Sequence, residues 1–158
     1  MTPSLETGRV TDRRPPFRYS ALARVSFSDT DAQGVVYYGR YLPYFDQARL
    51  EYHRHLGLLD LWHGPAQFVM RAISVEYVAP ARFDDLLEVF TRTLRIGRSS
   101  VTAECAAVRI PDDVLMCTAR LTLVLVDTAT RRPVPVPESY REAVRAFEGE
   151  AVEIAPLG

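Results

Sequence analysis

Three long runs of strand-forming residues follow one another in the second half of the chain, and they restrict the fold more than any other feature. They cover residues 86–96, 99–110 and 114–126, and each exceeds the about 5–6 residues of a typical strand. Only short turns, at 97–98 and 111–113, separate them. Long strands joined by tight turns pair in antiparallel fashion and, because strands twist, form a strongly curved sheet.

Two further strands and two helices complete the pattern. An imperfect period-two alternation predicts a strand at 19–28, and residues 68–78, rich in Val, Ile and Tyr, predict another. Between them, apolar and aromatic residues recur every three or four positions and predict one helix over about 39–56, ended by Gly57. Residues 138–147 predict a shorter amphipathic helix.

One apolar helix and one curved antiparallel sheet have a simple packing solution, because a sheet wrapped around the helix buries both apolar faces. The sequence therefore predicts an α+β fold in which a five-stranded antiparallel sheet surrounds a long central helix. We expect a single domain over 18–150. We expect flexible tails at 1–17 and 151–158, because these segments bury little apolar surface.

Composition argues against several classes of function. The formal net charge of -1 gives no electrostatic signature of a nucleic-acid or membrane partner. Cys105 and Cys117 form no CxxC pair, so we expect buried, reduced thiols and neither a metal site nor a cofactor. The N-terminus lacks the apolar segment of a signal peptide and no apolar run approaches 18 residues, which predicts a cytoplasmic protein.

The densest chemical signal lies at residues 29–41, which read DTDAQGVVYYGRY. The segment predicts a loop before the helix, with Gly34 allowing a close turn and Val35 and Val36 returning to the core. A helix start carries unpaired N–H groups that hold a carboxylate or stabilise an oxyanion. Asp31 is therefore either a turn or capping residue, the usual role of an Asp in such a place, or a catalytic carboxylate.

The string DTDAxGVVY, followed by an aromatic-rich helix containing ARLEY at 48–52, resembles the N-terminal signature of hot-dog thioesterases. This group includes 4-hydroxybenzoyl-CoA thioesterase and its bacterial acyl-CoA thioesterase relatives. The element order over residues 18 to about 128 is similar to that fold as well. The resemblance implies hydrolysis of an acyl-CoA or acyl-carrier-protein thioester. It also implies a homodimer that forms the active site between its subunits, and a homotetramer, since dimers of dimers are common in the group.

The same resemblance assigns roles to individual residues. The second Asp of the motif, which is catalytic in the group, corresponds to Asp31; it would attack the carbonyl or activate a water molecule. Seven positions later the group has Tyr or His, and here Tyr38 is expected to polarise the carbonyl through its backbone N–H, without help from a His side chain. The residues expected to contact substrate are Gly34, Val35, Val36, Gly39, Arg98 and Ser99, the last two beside the pantetheine arm or a CoA phosphate.

Several alternatives stay open. Glu51 lies on the predicted central helix, where some hot-dog enzymes carry their catalytic carboxylate, although a helix-surface pair with His55 explains it without catalysis. Arg98 is equally well explained as a solvated turn residue. A hot-dog hydratase or dehydratase would act on the same thioesters, but it usually needs a His paired with an acid, and the Asp31 loop has none. A non-catalytic acyl-thioester binder would not need Asp31.

Overall fold

A single mixed sheet and one long helix dominate the computed structural model, which describes residues 5–157. The strands, in chain order, are β1 (Gly8–Val10), β2 (Tyr19–Arg24), β3 (Ala66–Tyr77), β4 (Leu86–Ile96), β5 (Ser100–Ile110), β6 (Val114–Asp127) and β7 (Glu153–Ile154). The helices are α1 (Tyr41–Leu56), α2 (Asp60–His63) and α3 (Glu138–Glu148), with 3₁₀ turns at Phe27–Asp29, Tyr38–Arg40 and Gly149–Ala151.

The sheet has the order β1-β2-β4-β5-β6-β3, with every one of these neighbours antiparallel. The two-residue β7 adds to β4 in parallel. The three long runs of the sequence pattern are the adjacent strands β4, β5 and β6, as tight antiparallel turns require. The short β1 forms one edge of the sheet, and the twelve-residue β3 forms the other.

The central helix α1 packs against the inner face of this sheet. Phe45 and Ala48 are buried in one cluster with Val89 of β4 and Leu121 of β6. Apolar positions three and four apart on α1 therefore bury one face, as the sequence periodicity predicts. Within residues 5–157, no helix combines the length and apolarity needed to cross a membrane.

Both ends of α1 follow the local sequence. The helix begins at Tyr41, so Pro43 falls in the first turn, where a missing N–H costs no helical hydrogen bond. Gly57 ends the helix with φ +73°, and its N–H caps the carbonyls of His53 and Arg54. Glycine suits this left-handed position because it has no Cβ to clash with the backbone.

The structure has seven strands within residues 5–157, two more than predicted, because β1 and β7 lie in segments expected to be tails. β1 pairs with β2, and β7 pairs with the end of β4. Another difference concerns β2, which ends at Arg24 rather than at residue 28. The carboxylate of Asp29 accepts a hydrogen bond from the Ser26 N–H at 2.9 Å, which turns the chain into a 3₁₀ turn before the strand extends further.

A second cluster closes the other end of the molecule. It is formed by apolar residues of β4, β5, β6 and α3, among them Ile96, Val101, Leu125 and Val144. The short helix α2, which the sequence pattern did not predict, adds Leu61 to this cluster. A four-residue helix is too short to show a helical period, so only its packing reveals it.

Candidate active site

A tight turn holds the Asp31 segment in place. The Asp31 N–H donates to the Val35 carbonyl, and the Gly34 N–H donates to the Asp31 carbonyl, each at 2.9 Å. Gly34 has φ +78°, a conformation that residues with a Cβ rarely adopt. This explains why the segment needs a glycine three residues after Asp31.

Neighbouring segments fasten the loop to the rest of the molecule. The Val36 N–H donates to the Ala81 carbonyl at 2.8 Å, and Val36 itself is buried in the main core. Asp29 anchors the other side, because its carboxylate accepts a 2.6 Å hydrogen bond from the Tyr44 hydroxyl. Burial and then this carboxylate raise the pKa of Tyr44, so its hydroxyl stays a donor. Asp29 is thus a structural residue of the loop.

The Asp31 carboxylate is half-buried and partly committed to the turn. Its Oδ1 accepts a hydrogen bond from the Gln33 N–H at 2.8 Å, as in an Asx-turn. Among residues 5–157, no side chain or backbone N–H donates to Oδ2. The carboxylate therefore combines a fixed orientation with one oxygen available for chemistry.

The start of the helical segment lies immediately after this loop. The 3₁₀ turn Tyr38–Arg40 runs directly into α1 at Tyr41. Its first two N–H groups, those of Tyr38 and Gly39, have no acceptor in the part of the chain that the structure describes. Unpaired N–H groups at a helix start favour a negatively charged oxygen.

A groove of about 280 Å³ brings Asp31 and Tyr38, the first residue of the helical segment, together. It opens beside the last residues of β3 and the segment that follows. The lining residues are Asp31, Gln33, Val35, Val36, Tyr38, Tyr41, Tyr77, Val78, Ala79 and Pro80. A carboxylate, a residue with an unpaired N–H and an apolar wall in one groove are elements that acyl transfer requires.

Four of the eight site residues predicted from sequence line this groove. Asp31, Val35, Val36 and Tyr38 line it. Gly34 and Gly39 do not line it, but they belong to the turn and the helix start that form two of its sides.

Arg98 and Ser99 lie elsewhere in the same chain. They follow Ile96, the last residue of β4. The Asp31 loop is close to the other end of β4, where the Asp85 carbonyl accepts a hydrogen bond from the Val25 N–H. The eleven residues of β4 separate the two ends by about 33 Å, at about 3.3 Å per residue. The Arg98 backbone carbonyl accepts a hydrogen bond from the buried Arg141 guanidinium, while its side chain is exposed.

Glu51 is not part of the groove. Its carboxylate is buried beneath the N-terminal segment, where it accepts hydrogen bonds from the Thr7 N–H and from Arg54. The alternative pairing proposed from sequence, with His55, is not formed, because His55 contacts Glu6 instead. These contacts explain Glu51 as a structural residue.

Tyr41 and Tyr77 are groove residues that the sequence interpretation did not assign to substrate contact. Tyr41 is the first residue of α1, and it is buried in the core while also lining the groove. Tyr77 stands 46 positions after Asp31. Only the pairing of β3 with the rest of the sheet brings it to the site, so no local sequence signal identifies it.

Comparison with known proteins agrees with this architecture. The family model of the thioesterase-like superfamily matches residues 25–144 of the 158. The chain belongs to this family. The predictions of a hot-dog fold and of a thioester hydrolase are confirmed at the level of the thioesterase-like superfamily.

Two bacterial relatives within this superfamily match most of the chain. Acyl-CoA thioester hydrolase YbgC of Escherichia coli strain CFT073 is 36% identical over 118 residues, which cover 73% of this chain and 87% of that protein. Acyl-CoA thioesterase YbgC of Haemophilus influenzae is 32% identical over 128 residues, which cover 79% of this chain and 93% of that protein.

Solved structures of thioesterases share the fold. A thioesterase of Thermus thermophilus, crystallised with coenzyme A and zinc, superposes with a TM-score of 0.76 at 30% identity, covering 87% of this chain and 99% of that one. The 1,4-dihydroxy-2-naphthoyl-CoA thioesterase Slr0204 of Synechocystis has a TM-score of 0.72 at 20% identity, covering 79% and 93%. The second likeness concerns the fold alone.

Proposed function

We propose that this thioesterase-family protein hydrolyses acyl-CoA thioesters to a free acid and CoA. The observation that carries the proposal is that one groove is lined by both Asp31 and Tyr38, whose N–H at the helix start is unpaired among the described residues. Relatives named as acyl-CoA thioesterases support CoA as the thiol of the substrate. An acyl-carrier protein presents the same pantetheine thioester and is the second candidate. The cytoplasmic location stays a prediction.

The proposed reaction needs a nucleophile and a site for the developing oxyanion. The thioester carbonyl oxygen would lie at the Tyr38 N–H, which polarises the C=O bond. Asp31 then attacks the carbonyl carbon, and water hydrolyses the resulting anhydride; alternatively, Asp31 takes a proton from the water that attacks. In both routes one water molecule is consumed, the C–S bond breaks, and the thiolate leaves and takes up a proton.

A second subunit belongs to the proposal, and the open β3 edge supports it. Met70, Ile73 and Tyr77 pair with inward-facing positions of β6, yet they stay 38–51% exposed at this edge. A long exposed edge with an apolar row is unusual for a monomer. Pairing of two β3 edges about a two-fold axis would continue the sheet and cover this row.

The same pairing offers a role for the Arg98 turn. In an antiparallel β3–β3 pair, the Tyr77 end of one strand lies beside the Ala66 end of the other. The Arg98–Ser99 turn belongs to the Ala66 end of the sheet, since Ser99 accepts a hydrogen bond from Leu125 near that end. We therefore propose that the partner subunit's Arg98 and Ser99 approach the pantetheine arm or a phosphate. The homotetramer stays a prediction.

A hydratase or dehydratase is less well supported. None of the groove-lining residues is a His. His53 is buried on α1, where its ring forms hydrogen bonds with Trp62 and Tyr140. A non-catalytic binder is the remaining alternative, and activity measurements separate it from an enzyme.

The test compares thiol release from short, long and aromatic acyl-CoAs by the wild type and by Asp31→Asn. The asparagine keeps an Oδ1 acceptor for the Gln33 N–H, so the turn is preserved. We expect kcat to fall by at least about 10²-fold, the lower range for losing general-base help, with unchanged thermal unfolding. Near-wild-type turnover by the folded variant would contradict the role of Asp31. Absence of turnover on every CoA ester and on acyl-carrier protein would favour the binder.

A further inference from the structure

A tyrosine from the sheet edge touches the backbone of the helix start. The Tyr77 hydroxyl donates a 2.8 Å hydrogen bond to the carbonyl oxygen of Tyr38. Tyr77 is the last residue of β3, and its ring also packs against that of Tyr41 at 5.8 Å between centroids. All three tyrosines line the groove that contains Asp31.

This contact acts on a peptide unit at the border of the groove, between the groove-lining Tyr38 and Gly39. The Tyr38 C=O and the Gly39 N–H belong to one planar peptide unit, so holding the carbonyl also sets the direction of the N–H. A hydrogen bond accepted by a peptide carbonyl polarises the unit and strengthens its N–H as a donor. The Gly39 N–H has no acceptor within residues 5–157. Gly39 does not itself line the groove, but it directly follows Tyr38, which does.

We propose that Tyr77 is a positioning residue of the reaction, which orients and strengthens the Gly39 N–H as a second donor to the thioester oxyanion, beside the Tyr38 N–H. This inference rests on the proposed thioesterase function and names a residue that acts through the backbone. Tyr77 does not itself take part in bond making or breaking.

The hydroxyl has little part in holding the fold. Tyr77 is 51% exposed, and its backbone is held by its pairing with Cys117 of β6. Its ring contact with Tyr41 needs no hydroxyl. Burial raises the pKa of Tyr77, so the hydroxyl keeps its proton and acts as a donor at neutral pH.

Tyr77→Phe removes this one hydroxyl and keeps the ring. We expect kcat to fall about tenfold with little change in KM, a smaller loss than the about 10²–10³-fold cost of deleting an oxyanion donor outright. Tyr19→Phe is the matched control, since it removes a hydroxyl that bonds Glu6, away from the groove. Its kcat should stay at the wild-type value, and both variants should unfold at wild-type temperatures.

A spectroscopic measurement separates positioning from a general structural effect. The probe is a CoA analogue in which a methylene replaces the thioester sulfur, leaving a ketone that is not hydrolysed. Donors at the carbonyl oxygen lower its infrared stretching frequency, so the bound ketone should absorb at higher frequency in Tyr77→Phe than in the wild type or Tyr19→Phe. Equal affinity for the analogue in all three proteins is expected.

The outcomes distinguish this inference from the proposed function. Loss of activity in Asp31→Asn, with wild-type kcat and an unshifted ketone band in Tyr77→Phe, would overturn the role of Tyr77 alone. A kcat loss in Tyr77→Phe without the frequency shift would also overturn it. If the wild type released no thiol from any thioester, the proposed function would fail, and the ketone band would still report whether Tyr77 strengthens the donor.

Discussion

At the scale of single residues, burial decides the chemistry of His53. The Trp62 indole N–H can only donate, so its 2.7 Å contact makes His53 Nδ1 an acceptor and leaves the ring proton on Nε2. That proton points to the Tyr140 hydroxyl, 2.9 Å away. Burial, and then the charge of Arg49, lower the pKa of His53 to about 3. His53 is therefore a neutral part of the core and not a catalytic base.

This pKa predicts a loss of stability in acid. The unfolded chain binds a proton at His53 near pH 6.5 and the folded chain only near pH 3, so stability falls as pH drops through that window. From pH 7.5 to pH 5 we expect the free energy of unfolding to decrease by about 2 kcal/mol through this group. Urea unfolding at both pH values would measure this difference in the free energy of unfolding.

His53→Gln is the matched variant, because glutamine offers one acceptor and one donor to the same neighbours without titrating. Its stability should be lower at neutral pH but should decrease less between pH 7.5 and pH 5. The raised pKa of the buried Glu148 has the opposite effect, because it makes stability rise as pH falls. This effect is the same in the wild type and in His53→Gln, so the comparison cancels it. An equal acid loss in wild type and variant would contradict the assignment to His53.

At the scale of elements, the N-terminal segment is the clearest departure from the sequence interpretation. Arg9 and Arg13 both bond Glu88, whose carboxylate is fully buried within β4, and Ser20 adds a third donor. A charged carboxylate inside a sheet needs such partners. The segment also pairs with β2 through β1, which leaves β3 as the only long open edge among the described strands.

Removal of residues 1–13 should therefore lower the thermal unfolding midpoint by several degrees, because it uncovers the β2 edge and takes two partners from Glu88. Differential scanning calorimetry measures the shift. A shorter deletion that stops before Glu6 keeps these contacts, so it should unfold at a higher temperature than the longer deletion. Glu88→Gln in the longer deletion should recover part of the loss, since it removes the charge. Equal midpoints for the two deletions would show that the segment adds no stability.

At the scale of the whole molecule, the position of the groove links activity to assembly. The groove lies at the Tyr77 end of the open β3 edge, so a subunit that covers this edge also borders the groove. Activity and association are then expected to be lost together when the edge is altered.

Ile73→Lys tests this link. Lysine at the apolar edge row places a charge where two subunits would meet, so we expect monomers by light scattering after size exclusion and a loss of thioester hydrolysis of at least about tenfold. Val10→Lys is the control, because Val10 is exposed on the opposite edge strand β1. If Ile73→Lys were monomeric and fully active, a shared active site would be contradicted. If it still formed dimers, the interface would lie elsewhere than at β3.

The sequence by itself determined the five main strands, the helices α1 and α3 and the motif, because these depend on local periodicity and turn chemistry. Strand β4 was predicted to the residue, and Gly34 and Gly57 adopt the positive φ values that their positions require. The tertiary structure alone decided which distant residues meet. In the folded chain Tyr77 lines the Asp31 groove, Arg98 lies at the opposite end of β4, and Glu51 is buried beneath the N-terminal segment. The physical reason is that strand register and cross-chain packing sum many weak contacts between residues far apart in sequence, which no local pattern records.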